Sequence, residues 1–274
     1  MSGTKKKPVK VTFTHLGTYF ALFLFLLPFL WMILASFKTQ VQILDTRHLF
    51  AINANFNNFV EVFQKYAFLK FIKNSFIVGA LSTFFGLVLG LPAAYSIAKY
   101  KQEGLGLLIL VARIVPGISF LIPWFIIFSK MHMIDTYTAL ILSHMLVTMP
   151  FIIWIMIPFF EGLPSSLEES ARIDGCSIPA AFMKIILPIS GPGIITSTIL
   201  AFIFSWNNFM FSIILAGEKT KTLPIAVFNF LSYSEIDWGG LMAASVIITA
   251  PVLILALFSQ RYIIAGLTGG SVKG

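Results

Sequence analysis

Long apolar runs separated by short polar stretches dominate this chain. Five runs carry no charge, Leu16 to Phe37, Asn74 to Ala98, Thr136 to Phe160, Ile185 to Gly217 and Gly239 to Gln260, and a sixth, Gly104 to Ser129, is interrupted only by Arg113. A membrane-crossing helix needs about 20 mostly apolar residues, since the hydrocarbon layer is about 30 Å thick and each helical residue rises about 1.5 Å. Lipid offers no hydrogen-bond partner to a bare backbone, and runs this long and uniformly apolar lack the alternation of barrel strands. The pattern therefore predicts an all-α integral membrane protein with six transmembrane helices. Residues 1–12 form an N-terminal segment, 13–262 the six-helix domain and 263–274 a glycine-rich tail.

Composition agrees with that reading. Of 274 residues, 58% are hydrophobic and 11% charged, against about 25% charged in ordinary soluble domains. The net charge of +8 comes from basic residues scattered over termini and loops rather than gathered on one face, which argues for topology and against a nucleic-acid partner. Lys5, Lys6, Lys7 and Lys10 precede the first span and place the N-terminus in the cytoplasm by the positive-inside rule. Six crossings return the C-terminus to the same side. Lys38, Arg47, Lys65, Lys70 and Lys73 lie in the long first external loop, where charge influences orientation less. The first apolar run is too long for a signal peptide, whose apolar core is about 7 to 15 residues.

Several chemistries are disfavoured. Cys176 is the single cysteine, so no internal disulfide forms and cysteine-cluster metal motifs are absent. His132 and His144 stand alone without a second ligand at metal spacing, so no metal site is expected. No Gly-Lys-Ser or Gly-Lys-Thr phosphate loop occurs, so this chain is not expected to bind a cofactor or hydrolyse ATP by itself. No nucleophile–base set stands out, and the chain reads as a non-enzyme.

The most informative stretch lies between the fourth and fifth runs and reads PSSLEESARIDGCSIPAAFMKIILP from Pro164 to Pro188. Ser166 with Glu169 three residues later fits a capping box. Gly175 can end the resulting helix in a left-handed conformation, while Ser177 and Pro179 suit the start of a second one. The product is a short helix-turn-helix, with Leu167, Ala171 and Ile173 free to face a partner or the membrane. Local physics alone equally allows a solvated loop between two spans.

Glu169, Ser170 and Ala171, then Gly175 after three residues, then Ile185, Ile186, Leu187 and Pro188 after nine more, resemble the EAA signature of ABC importer permeases. The departure is Ser170, where the pattern usually has Ala. The resemblance extends along nearly the whole chain to the sugar-type permeases, similar to the smaller permease of maltose transporters. Phe151 to Phe160 with Gly162, Leu163 and Pro164 carries it, as do Trp206, Asn207 and Phe209. So does the ending Gln260, Arg261, Tyr262, Gly266, Leu267, Gly270, Val272, Lys273 and Gly274.

The resemblance implies a bacterial inner-membrane subunit that imports carbohydrate by alternating access. It implies as partners a second, homologous permease, two ATP-binding subunits carrying ATP and Mg, and an extracytoplasmic solute-binding protein. On this reading Glu168, Glu169, Ser170, Ala171, Arg172, Ile173, Asp174 and Gly175 couple to the ATPase, supported by Ile185, Leu187 and Pro188. Gly266, Gly270, Lys273 and Gly274 reach between the ATPase subunits, unless the tail is only a frayed terminus. The loop from Gly217 to Trp238 is the candidate contact with the binding protein.

Other residues leave alternatives open. Arg113 in lipid would be costly, so it faces the bundle or a wet cavity, bonded to a helix end or to substrate. Trp124, Trp154, Trp206 and Asn207 are candidates for the substrate path, although membrane Trp often anchors at the interface. Gly86 and Gly90 form a small-xxx-small pair that permits close helix approach. Rival readings are an ion-coupled secondary transporter, for which inverted repeats and midplane ionisable groups would be expected, and a purely structural membrane subunit.

Overall fold

The computed structural model describes residues 8–45, 47, 55–231 and 236–269, with side chains described from residue 15 to residue 260 of those ranges. Helices dominate. In chain order they are α1 (Pro8–Ser36), α2 (Gln40–Leu44), α3 (Asn57–Lys65), α4 (Phe68–Lys99), α5 (Glu103–Ile114), α6 (Leu121–Lys130), α7 (Tyr137–Glu161), α8 (Ser166–Ile173), α9 (Ile178–Ala181), α10 (Leu187–Ile189), α11 (Gly191–Trp206), α12 (Met210–Leu215), α13 (Leu223–Ala226) and α14 (Trp238–Gly269). Among the described residues the extended pairing is a single bridge between Leu231 and Ile236.

Four helices are long and apolar enough to cross a membrane unbroken, over His15–Ser36, Phe68–Lys99, Tyr137–Glu161 and Trp238–Gln260, and up to six crossings result if two bent pairs each count as one. The bends fall in the third and fifth apolar runs, at prolines that allow a kink, and they are near right angles. Residues 103–114 and 117–130 meet at 87°. Pro116 explains the break, because it has no N–H to continue the ladder and drives Val115 out of the helical region, to φ −60° and ψ 123°.

The expected run from Ile185 to Gly217 is divided as well. Its helical stretch begins earlier, at Ile178, and turns by 79° between Ile189 and Gly191. Before the turn, residues 182–186 form a π-helical segment in which the Leu187 amide reaches back to the Phe182 carbonyl. Pro188 withholds the amide that would bond the residue 184 carbonyl, and such local rewinding is the usual response. Ser190 leaves helical geometry at φ −79° and ψ 6°, and Pro192 opens α11, where its missing N–H costs nothing. At the far end of the chain, α14 runs on to Gly269, seven residues past the expected end of the six-helix domain at residue 262.

The chain divides into two compact units, Met1–Ala67 with Val227–Ile247, and Phe68–Ala226 with Ile248–Gly274. In the first, Thr39 and Gln42 make a full capping box at α2. Asn58 donates to the carbonyls of Ser36 and Lys38 at 2.8 Å each, and Gln40 bridges the Ile236 carbonyl and the Trp238 amide at 2.7 and 3.0 Å.

The second unit is built on α4 and α7. Leu91, Ala94 and Ile97 of α4 pack with Ile152, Ile153, Met156 and Phe160 of α7, together with Phe182, Ile186 and Ala201. The two glycines of the small-xxx-small pair sit at this contact: a Cβ on Gly86 would lie 3.1 Å from Ile152 and 3.3 Å from Thr148, and one on Gly90 would lie 3.3 Å from Ile152. A buried polar thread crosses the same packing. His144 Nδ1 and Ser205 Oγ are 2.7 Å apart, Ser205 and Ser82 hydroxyls 3.0 Å. The Ser82 and Ser205 hydroxyls and His144 Nδ1 thereby find partners where lipid would offer none, while His144 Nε2 is buried without one.

Gly86→Leu forces this contact apart. The expected cost is about 1–3 kcal/mol, typical of overpacking, read as a lower thermal midpoint of the detergent-solubilised protein, with Gly17→Leu, at an open position, leaving it unchanged.

Candidate functional site: the two ends of α4 and the break beside α7

At the Lys99 end of α4 sits the helix-turn-helix. Its first helix, α8, starts at Ser166 with Ser165 as N-cap, and no side chain caps it. The capping box expected from Ser166 and Glu169 does not form. The first turn gains its stability elsewhere, because Glu168 accepts hydrogen bonds from the Tyr95 hydroxyl and the Lys99 ammonium of α4. Tyr95 is itself wedged in the core, its ring 4.8 Å from Phe182 and 5.7 Å from Phe160.

The other end of α8 is closed by backbone chemistry. Gly175 adopts φ +85°, its amide bonds the Arg172 carbonyl at 3.1 Å, and the Cys176 amide bonds the Ala171 carbonyl at 2.9 Å. This paired arrangement is the Schellman motif, which needs a residue free to be left-handed. Ser177 then caps α9 through the Ala180 amide, with Pro179 in the first turn.

Anchoring sorts the residues. Ala171 is buried, Glu168 is half-buried against α4, and Glu169, Ser170, Arg172, Asp174 and Gly175 are exposed. Ile173 is 86% exposed, an unusual position for so apolar a side chain. Behind them Ile185 and Leu187 are half-buried and Pro188 is exposed. Burial works to raise the Glu168 pKa, but hydrogen bonds from Lys99 and Tyr95 and the charges of Lys99 and Arg172 outweigh it and hold the carboxyl below its ordinary value.

The Phe68 end of α4 secures two other loops. Asn74 donates to the Lys219 and Lys221 carbonyls at 3.0 and 2.8 Å and accepts from the Tyr137 hydroxyl at 2.6 Å. Nearby, Asp135 accepts from the amides of Gly217 (2.9 Å), Lys219 (3.1 Å) and Thr220 (2.9 Å) and from the Thr220 hydroxyl (2.8 Å). Burial pushes its pKa up, and these donors more than compensate, so it lies below the ordinary value. Part of the loop expected to meet a binding protein, Gly217 to Trp238, is thus tied to α4 and to the turn before α7, while residues 232–235 lie outside the described ones.

Between the ends, Arg113 closes α5, where a cation suits the negative pole of the helix. Its guanidinium lies 4.6 Å from the Phe151 ring and 5.1 Å from that of Trp154, a cation–π arrangement. It edges a groove of about 180 Å³ lined also by Val115, Gly117, Phe120, Phe204 and Phe211.

None of the four proposed path residues lines that groove. Trp206 is buried and donates to the Ile248 carbonyl at 3.1 Å. Trp124 stacks on Phe128 at 5.1 Å, Trp154 is half exposed beside Arg113, and Asn207 is exposed beyond α11. Gly266 falls within α14, whereas Gly270, Lys273 and Gly274 lie outside the described residues. Among the described residues no three His, Cys, Asp or Glu side chains gather as metal ligands would.

Comparison with known proteins places this geometry. The family described as binding-protein-dependent transport system inner membrane component matches residues 86–269. The chain belongs to this family. The trehalose transport system permease SugB of Mycobacterium tuberculosis is 35% identical over 91% of this chain and 93% of its own length. The trehalose/maltose permease MalG of Thermococcus litoralis is 34% identical over 91% and 92%. Among solved structures, a bacterial ABC transporter for import of the acidic polysaccharide alginate superposes with a TM-score of 0.79 at 18% identity, over 95% of this chain and 99% of that one. The chain is therefore a multi-pass permease subunit of a binding-protein-dependent ABC importer, and ATP hydrolysis resides on separate subunits.

Tyr95, Lys99, Asn74 and Asp135 were not singled out from the sequence. The signal for the first two was present: an aromatic and a lysine at i and i+4 closing an apolar run.

Because the Glu168 pKa is lowered on folding, its contribution is fully present above the ordinary glutamate value and is lost as pH falls through the lowered one. Amide exchange in α8, corrected for intrinsic rates, should accelerate over that acidic window in the native chain and already be fast at neutral pH in Glu168→Ala.

Proposed function

We propose that this permease imports a carbohydrate across a bacterial cell membrane, forming half of the pathway beside a second, homologous permease. The relatives named for trehalose and maltose support the substrate class. Each bent pair counts as one crossing, giving six, and the N-terminal lysines hold both termini in the cytoplasm. Residues 1–12 and 263–274 flank the transmembrane domain, the latter reaching between the ATPase subunits.

The observation that carries the reading is the exposed tip of α8. A helix fixed at one end by Glu168 and closed at the other by left-handed Gly175 presents Glu169, Ser170, Arg172 and 86%-exposed Ile173 between two crossings. Such an element suits a cleft in an ATP-binding partner: an apolar knob with a polar rim gains most when a groove desolvates it. Two ATP-binding subunits, each with ATP and Mg, close and open beneath the permease pair. Their movement drives α8 and switches the pathway between faces. An extracytoplasmic binding protein delivers the sugar to the opposite end, where Asp135 and Asn74 hold the Gly217 to Lys221 loop.

Purification of the tagged chain from its native membrane in mild detergent tests the assembly. Recovery of a second permease and an ATPase is expected, and recovery of the intact chain alone would reject it.

Gly175→Val tests the coupling element. A β-branched side chain at φ +85° costs about 1–2 kcal/mol, so ATPase recovered with the tagged chain should fall by about tenfold and uptake of labelled sugar should fall with it. Unchanged recovery and uptake would remove the assigned role.

A further inference from the structure

Adjacent glutamates at the start of α8 have opposite surroundings. Glu169 is exposed. Glu168 points the other way, one carboxylate oxygen on Lys99 Nζ and the other on the Tyr95 hydroxyl. The ion pair is largely sheltered, with the two side chains 20% and 14% exposed, so solvent screens it far less than a surface pair.

Its partners are not loosely attached. Tyr95 sits on α4 with its ring against Phe182 of the π segment and Phe160 of α7, and Phe160 and Phe182 also meet each other at 6.3 Å. Lys99 is the last residue of α4, and its ammonium lies over the Tyr95 and Tyr100 rings at 5.6 and 5.3 Å. Two stiff attachments from one helix thus hold one carboxylate, fixing the direction as well as the position of α8. Apart from half-buried Leu167 and Glu168 and buried Ala171, the residues of α8 are exposed.

We infer that Glu168 is a positioning residue that clasps α8 to α4, so that motion delivered to the exposed face of α8 passes into α4 through Tyr95 and Lys99. Glu169, its neighbour, is left to the partner. This role rests on the reading of α8 as the ATPase-docking element. The clasp makes α8 and the end of α4 a single lever rather than a helix on a flexible loop. Since α4 also holds the far loop through Asn74, displacement at one end is felt at the other, about 32 Å away at 1.5 Å per residue between Asn74 and Tyr95.

The test uses the assembled transporter with its ATPase subunits in nanodiscs. In a Cys176→Ser background, spin labels at Ser166→Cys and Lys101→Cys report the distance from α8 to the end of α4, with and without Mg-ATP and vanadate, and a separate Ile173→Cys variant serves for cross-linking. One narrow distance, unmoved by trapping, is expected. Glu168→Gln and Lys99→Met should broaden it and raise ATP hydrolysis per transmembrane movement several-fold, with complex yield maintained. The swapped pair Glu168→Lys with Lys99→Glu should narrow it again, a rescue that packing alone would not give. A wild-type distance that shifts on trapping, or a Glu168→Gln distance as narrow as wild type, overturns the clasp. Failure of the cysteine at 173 to cross-link to the ATPase overturns the docking reading instead, and with it any transmission through Glu168.

Discussion

The close contact of α4 with α7, made where Gly86 and Gly90 leave no side chain between the helices, is the constraint on which the second unit depends. Lipid-facing helices gain nothing from burying apolar surface against one another, so their association rests on van der Waals fit and on polar groups that need partners. The glycines supply the fit. The Ser82, Ser205 and His144 thread supplies the polar pairing, and it fixes depth as well as distance, since hydroxyl must meet imidazole. With α4 and α7 locked together, their two ends become fixed points, and both loop systems are hung from them.

Much of this was legible in the sequence because the bilayer permits so few backbone solutions. The runs ending at Phe37, Ala98, Phe160 and Gln260 read directly as helices. In the third and fifth runs the size of the bend was not legible, because hydropathy registers only length and apolarity and is blind to a missing amide. Pro116, Pro188 and Pro192 were visible, yet a proline inside an apolar run signals equally a mild kink or a right-angled turn. The outcome turns on the neighbours: in α7, Pro150 and Pro158 are carried within a continuous helix, whereas Pro116 is followed by Gly117 and Pro192 is flanked by Gly191 and Gly193.

The bends have a consequence for the middle of the unit. Where α5 stops, exposed Arg113 lies over the rings of Phe151 and Trp154. Its charge is met partly by the helix pole behind it and partly by the ring quadrupoles in front. The sequence offered a helix end or a substrate as its partner, and the aromatic partners lie on a different helix at positions that no local spacing reveals.

The coupling segment shows which chemistry a linear reading can recover. Gly175 and Ser177 act on the backbone next to them, so residue type and spacing suffice to assign a left-handed cap and an N-cap, and both are found. Glu168 and Glu169 differ in no local respect. On a helix they point about 100° apart, since about 3.6 residues complete a turn, and which of them meets α4 depends on the angle at which α8 leaves α7. That angle is set by Gly162, Leu163 and Pro164 together with the aromatic packing of Tyr95, Phe160 and Phe182. The signature thus contains two kinds of residue that a motif does not separate: those that shape the backbone or fill the core, Ala171, Gly175 and Leu187, and those whose exposed side chains are free to fit a partner. Glu168 precedes the signature and belongs to the first kind, because its carboxylate is spent on holding the helix in place.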